Sequence, residues 1–167
     1  MNKLAILACI TTASFSLLAA SALADNDEWA PRPTLEGSWQ VEVTLRVDAP
    51  DCTIAPVVGT GLNPFPSFNT FHKGGTMSEF GTRSPPATRT SGHGVWERRG
   101  QRAYAYRELF YSFDPNGLLT ATMDIRTDVK LATDGKTFGG VSRFLRTDLS
   151  GNALRFCATM SAKRISL

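Results

Sequence analysis

The sequence predicts an all-β protein, an eight-stranded antiparallel up-and-down barrel. Three observations carry this. Apolar and polar residues alternate over long stretches, turn residues punctuate the chain at hairpin spacing, and no stretch after residue 24 shows a helical period with caps. A meander of eight strands has two exposed edges unless it closes, and closure into a barrel removes both.

The first strand is read from Gly37-Ser38-Trp39 onward, over 37–48. Trp39, Val41, Val43, Leu45 and Val47 are apolar, and Gln40, Glu42, Thr44, Arg46 and Asp48 are polar. The same period runs through Leu119, Ala121, Met123, Ile125, Val129 and Leu131. Lys73-Gly74-Gly75, Arg99-Gly100, Asp114-Pro115-Asn116-Gly117, Asp134-Gly135 and Asp148-Leu149-Ser150-Gly151 are hairpin signals. They place the remaining strands near 66–73, 75–81, 92–98, 101–113, 118–132, 136–147 and 153–165. Two connections are long, roughly 49–65 and 82–91, both rich in Pro, Gly, Ser and Thr. In a meander these share an end with 114–117 and 148–151. One end therefore forms a mouth, with one long loop expected over it, and the end with tight turns is closed.

Closure sets strand one against strand eight. Cys157, early in strand eight, then lies near Cys52, just after strand one. The expected disulfide closes about a hundred residues, worth roughly 4–5 kcal/mol on the loop-entropy account. Two unpaired thiols are the alternative. At the closed end, Trp39 and Arg164 become neighbours, and the guanidinium can lie over the indole.

Residues 1–24 stand outside this pattern. Lys3, an uncharged apolar run from Leu4 to Leu23, and Ala22-Leu23-Ala24 before Asp25 make the three parts of a secretory signal peptide. An uncleaved anchor is the competing reading. The expected organisation is a signal peptide at 1–24, a short Pro-rich lead at 25–35 and one barrel domain at 36–167, periplasmic or secreted. Cleavage leaves 17 Lys+Arg against 15 Asp+Glu, a net charge of +2, with Cys52 and Cys157 as the remaining cysteines. An even pair in an exported chain suits a disulfide. Mixed charge argues against nucleic acid, which wants a concentrated basic face. Arg98, Arg99 and Arg102 read as one solvated turn. After residue 24 nothing approaches the ~20 apolar residues of a membrane span.

The Gly37-Ser38-Trp39 opening, the meander and the late Arg164 resemble the calycin group, the lipocalins and their relatives, in which a first-strand Trp and a last-strand Arg close the base. The chain departs from lipocalins in lacking their Thr-Asp-Tyr motif. Allene oxide cyclase-like barrels share the architecture. Asp51-Cys52, Ser91-Gly92-His93-Gly94-Val95-Trp96-Glu97-Arg98, Cys157-Ala158-Thr159 and Arg164 are also similar to a group of exported bacterial proteins. That group reads Ser-Pro-Gly-His-Gly-Val-Trp where this chain has Thr90-Ser91 before Gly92. This likeness implies export and the barrel and brings no activity with it.

Hairpin registers assign faces. A two-residue Arg99-Gly100 loop sets Trp96 opposite Ala103 and Gly94 opposite Ala105. A three-residue loop after Asp114 sets Leu109 opposite Met123 and Arg107 opposite Ile125. Opposed residues share a face. The expected inner face is Trp96, Ala103, Ala105, Arg107, Leu109, Tyr111, Phe113, Ala121, Met123 and Ile125. Small residues would leave a cavity beside Trp96, and one buried arginine, Arg107, would suit an acid. Trp96, Ala103, Ala105, Arg107, Tyr111 and Met123 are the candidate ligand contacts. The alternative is that Arg107 pairs with an interior carboxylate or reaches the rim. The same register turns His93, Glu97, Arg102, Tyr104 and Tyr106 outward, His93 opposite Tyr106 and Glu97 opposite Arg102. Glycines beside His93 also permit a bulge that would aim it at the mouth. At Asp134-Gly135 a two-residue loop puts Phe138 and Phe144 inside, and a three-residue loop puts Val141 and Leu145 there. The first is preferred, and it pairs Phe144 with Phe156.

Enzyme signatures are mostly absent. There is no G-x-S-x-G elbow and no G-x-G-x-x-G cradle, and neither His72 nor His93 has a partner at a metal-ligand spacing. No metal and no cofactor are expected. Three functions remain. The first is a cup for a small apolar or apolar-anionic ligand. The second is a cyclase or isomerase drawing on His93, Glu97 or a tyrosine, with His93 and Glu97 as weak catalytic candidates. The third is an interaction protein with a filled barrel and an apolar patch around Phe65 and Phe68.

Overall fold

The structure, a computed structural model, describes residues 33–59 and 61–167. The expected signal peptide and the first part of the lead lie outside the described residues. Eight strands close into one antiparallel barrel in chain order. They are β1 (Gly37–Val47), β2 (Phe65–Phe71), β3 (Thr76–Gly81), β4 (Gly92–Arg98), β5 (Ala103–Phe113), β6 (Leu119–Leu131), β7 (Thr137–Asp148) and β8 (Ala153–Arg164). A 3-10 turn at Pro86–Thr88 is the one helical element among the described residues, and none there is long and apolar enough to cross a membrane.

Alternation places Trp39, Val41, Val43 and Leu45 of β1 inside, facing Phe71 of β2, Phe138 of β7 and Ala158, Met160 and Ala162 of β8. The Phe144–Phe156 pairing and the inward Phe138 hold as the two-residue Asp134-Gly135 register requires.

The closed end is filled with aromatic rings. Trp39 and Phe138 have centroids 4.8 Å apart, Phe71 and Tyr106 5.4 Å, Trp96 and Tyr104 5.9 Å, and Phe71 and Trp96 6.0 Å. Each ring removed from water stabilises the fold by roughly 1.5–3 kcal/mol. Arg164 pairs with Trp39 in the β1–β8 register, and its guanidinium lies 4.2 Å from the indole centroid. It donates to the carbonyls of Thr34 (2.5 Å), Gly135 (2.8 Å) and Glu36. Pro33–Glu36 therefore forms a plug across the base. Leu35 is fully buried there, and its carbonyl accepts from Trp39 Nε1 at 2.9 Å.

At the other end the 48–64 connection is tied down. Cys52 is bonded to Cys157, with Cα atoms 5.9 Å apart. The Asn63 side chain behaves as a strand partner, accepting from Leu45 N and donating to Leu45 O, each at 2.9 Å. Arg46 donates to Ala55 O at 2.6 Å, and Arg143 to Pro50 O at 2.6 Å.

The expected inner face of β5 is overturned. The β4–β5 loop is Gly100-Gln101-Arg102, three residues long, with Arg99 N donating to Ala103 O at 2.8 Å. This sets Trp96 opposite Tyr106, not Ala103. The Asp114 turn has the expected length, but the register shifts between Ser112 and Phe113, so Phe110 rather than Leu109 faces Met123. Each change is odd, and with a side-chain period of two an odd slip exchanges the faces. Tyr104, Tyr106, Glu108 and Phe110 point inward. Ala103, Ala105, Arg107, Leu109 and Tyr111 point outward. β4 and β6 keep their expected faces.

Candidate functional site

The barrel is packed at its base and hollow toward the long loops. The open half holds a cavity of about 480 Å³. Val41, Val43 and Leu45 of β1, Phe144 of β7, and Phe156 and Met160 of β8 give it an apolar wall. Ser67, Asn69, Glu79, Tyr106 and Glu108 give it a polar one. The 82–91 connection lies over the mouth and sends Arg83, Ser84, Thr88 and Arg89 into the lining, and Val58 is the contribution of 48–64. A bridge between Arg89 and Ser112 holds this segment to β5.

The polar wall is built around two carboxyls. Glu79 on β3 and Glu108 on β5 are 8% and 4% exposed. β4 runs between them, and Gly92 is the residue that separates them. A Cβ built on Gly92 would meet Glu79 Oε2 at 2.8 Å and Glu108 Oε2 at 3.2 Å, so the two carboxyls share the space a side chain would have filled. Gly81 plays a similar part for Arg89, whose Nη1 lies 2.9 Å from where its Cβ would be.

Arg89 is spent on Glu79. Its Nη2 donates to Glu79 Oε2, its Nη1 to Glu79 Oε1 at 3.5 Å and its Nε to Thr90 O at 2.9 Å. Its guanidinium lies 3.7 Å from the Phe110 ring centroid. Glu79 Oε1 also accepts from Ser67 Oγ at 3.0 Å. Below this pair, Asn69 Nδ2 donates to the Tyr106 hydroxyl at 3.4 Å, and that hydroxyl donates to Met160 Sδ at 3.3 Å. Thr127 and Ser142 hydroxyls meet at 2.6 Å on the far side.

Glu108 differs. Its Oε2 is buried with no hydrogen-bond partner among the described residues. Burial holds its carboxyl well above the usual range. The nearby Glu79 pushes in the same direction, and Arg89 offsets part of the effect. Burial likewise pushes the Tyr106 phenol up. The direction favours the neutral acid at Glu108, because two like charges buried side by side repel.

Of the expected ligand contacts, Met123 lines the cavity. Trp96 faces inward and packs among the base rings, its Nε1 donating to His72 O at 3.0 Å; it does not line the barrel cavity but borders a second hollow over β4, β5 and β6 with Ala105 and Arg107. Arg107 is on the outer face, paired with Asp124 at 2.8 Å. The buried arginine of the interior is Arg89. Ala103 and Tyr111 are exposed, and Ala105 is covered on the outside. His93 is exposed opposite Leu109, and Glu97 is exposed opposite Ala105 with Arg99 at 2.9 Å, so neither reaches the cavity. Arg98 reaches Tyr104 Oη and Pro33 O rather than solvent alone. Phe65 lines the cavity while Phe68 is exposed, so the expected joint patch does not form. Among the described residues no three His, Cys, Asp or Glu gather as a metal site would require.

Glu79, Glu108 and Arg89 were missed at the sequence level. Glu108 fell on the wrong face with the rest of β5. The Gly-His-Gly motif drew notice to its histidine, whereas Gly92 itself makes the room for the acid pair. No protein-family model matches the chain, and no curated protein matches it in sequence.

Proposed function

We propose that the mature chain is an exported barrel that holds a small, largely apolar molecule in its open half. The observation that carries this reading is the cavity of about 480 Å³, large enough for a small ligand and walled on one side by aliphatic and aromatic groups. A filled barrel acting only through its surface would leave no such space. Exposed Leu62, Leu118 and Leu149 lie on connections at the same end and suit the passage of an apolar molecule. The disulfide fits an oxidising compartment, and the base closed by Trp39 and Arg164 fits a calycin-like cup. The anionic character expected of the ligand rested on a buried Arg107 and loses that support.

The test is titration with an uncharged apolar fluorophore and its displacement by n-octanol. Met123→Trp, which projects a large ring from a half-buried site into the cavity, is expected to weaken both at least about tenfold, since a filled cavity loses its contacts with the ligand. Equal affinity in the variant would place the binding elsewhere and refute the reading.

The cyclase or isomerase reading gains one observation. Glu108 is a titratable group facing the cavity with a shifted pKa, which proton transfer in an apolar site needs. It is tested by whether the molecule that copurifies with the protein is converted by the wild type and only bound by Glu108→Gln.

A further inference from the structure

We propose that the ligand of this cavity carries a protonated amine, seated against Glu108 and Glu79. The inference rests on reading the barrel as a cup and names the head group that cup takes.

The titratable groups that act directly on Glu108 are few. Glu79 comes from β3, Arg89 from the 82–91 segment and Tyr106 from β5 itself. Two carboxyls thus share one cation. Arg89 commits its Nη groups to Glu79, its Nε to a carbonyl and its face to Phe110, and it makes no hydrogen bond to Glu108. Glu108 Oε2 has no hydrogen-bond partner among the described residues. The cluster is one positive charge short, and in the empty barrel a proton supplies it.

An alkylammonium supplies the same charge with three N–H donors, enough for Glu108, Glu79 and a further acceptor such as Ser67. Charge-assisted hydrogen bonds of this kind are about twice as strong as neutral ones. The alkyl tail then lies on Val41, Val43, Phe144 and Phe156. Binding is an exchange in which the ammonium forms an ion pair with the Glu108 carboxylate and the Glu108 proton passes to solvent. Arg83 and Arg146 line the mouth above this point and favour the opposite charge there. The choice of head group therefore turns on depth, the acid pair lying inside and the arginines at the rim.

The experiment compares n-octylamine, n-octanol and n-octanoate on the same folded protein by calorimetry, in two buffers of different ionisation enthalpy. The expected result is octylamine tighter than octanol by about tenfold or more, with proton release on binding the amine and none on binding the alcohol. Glu108→Gln keeps the shape and removes the charge. It is expected to erase the amine's advantage over octanol and the proton release on binding the amine. Octanol or octanoate binding as tightly as the amine, or an amine preference that survives in Glu108→Gln, overturns the inference and leaves the cup standing. Failure of all three chains to bind overturns the cup and this inference with it.

Discussion

Glu108→Gln isolates one proton in the stability of the fold. Below the ordinary carboxyl value of 4.5, the folded and unfolded chains both hold the Glu108 proton. As pH rises past that value the unfolded chain releases it and the folded chain, with its raised pKa, keeps it. The folded state then binds more protons, so stability falls with rising pH until Glu108 ionises in the fold as well. The slope is about 1.4 kcal/mol for each pH unit across that window. Glutamine, neutral at every pH and of nearly the same shape, has no such slope. Urea unfolding of the ligand-free proteins between pH 4 and pH 8 measures the difference (on the order of 1–3 kcal/mol per molar urea converts it to a midpoint). The variant's midpoint should gain roughly half a molar or more on the wild type for each pH unit above the ordinary carboxyl range. A constant offset across the whole range would refute a protonated Glu108, and a variant that loses ground as pH rises would show a stabilised carboxylate instead.

Four further outcomes follow from the same geometry. Reduction of Cys52–Cys157, which spans 105 residues, should lower stability by up to about 4–5 kcal/mol and raise the intact mass by two hydrogen atoms; urea melts with and without reductant, beside mass spectra, measure both. Arg164→Ala removes the cation over Trp39 and three carbonyl contacts at the base, so it should cost roughly 2–3 kcal/mol in a urea melt while octanol affinity stays unchanged. Gly92→Ala drives a methyl between two movable carboxyls, costing roughly 1–3 kcal/mol. Gly94→Ala should cost more, because its Cβ would lie 2.0 Å from the Arg107 carbonyl of β5 and the strands must part; the order of the two unfolding midpoints checks this. Arg107→Ala, on the outer face, should leave octanol affinity as it was, and a lost cavity affinity would restore Arg107 to the interior.

The strands were legible because half-buried sheet writes its period directly into the chain. β1 and β6 alternate almost without exception, and Asp114-Pro115-Asn116-Gly117 and Asp148-Leu149-Ser150-Gly151 carry their own turn chemistry. Strand order and closure then brought Cys52 to Cys157 and Trp39 to Arg164 without any side-chain detail. The interior of β5 was not legible. Its run Ala103-Tyr104-Ala105-Tyr106-Arg107-Glu108-Leu109-Phe110-Tyr111 has large apolar groups on both faces, so periodicity does not choose between them. The choice falls to loop length, and Arg99-Gly100-Gln101-Arg102 reads as two or three residues equally well. The shift at Ser112/Phe113 has no signal of its own beyond Thr120, whose hydroxyl bonds back to Ser112 O at 3.0 Å. One clue was present: with Glu108 turned inward, the aromatic Tyr104, Tyr106 and Phe110 go with it and fill the barrel far better than Ala103 and Ala105. Arg89 was beyond reach, because it enters the cavity from a connection rather than a strand.

The most direct test of the cup is native mass spectrometry of the mature protein and of its Met123→Trp variant, each purified from the natural host. The account expects the wild type to carry a small molecule that denaturation releases, a nitrogenous one if the head group is as inferred, and the variant to carry less of it or none. A bare polypeptide mass for the wild type, with no uptake of octanol or octylamine when they are added, would contradict it.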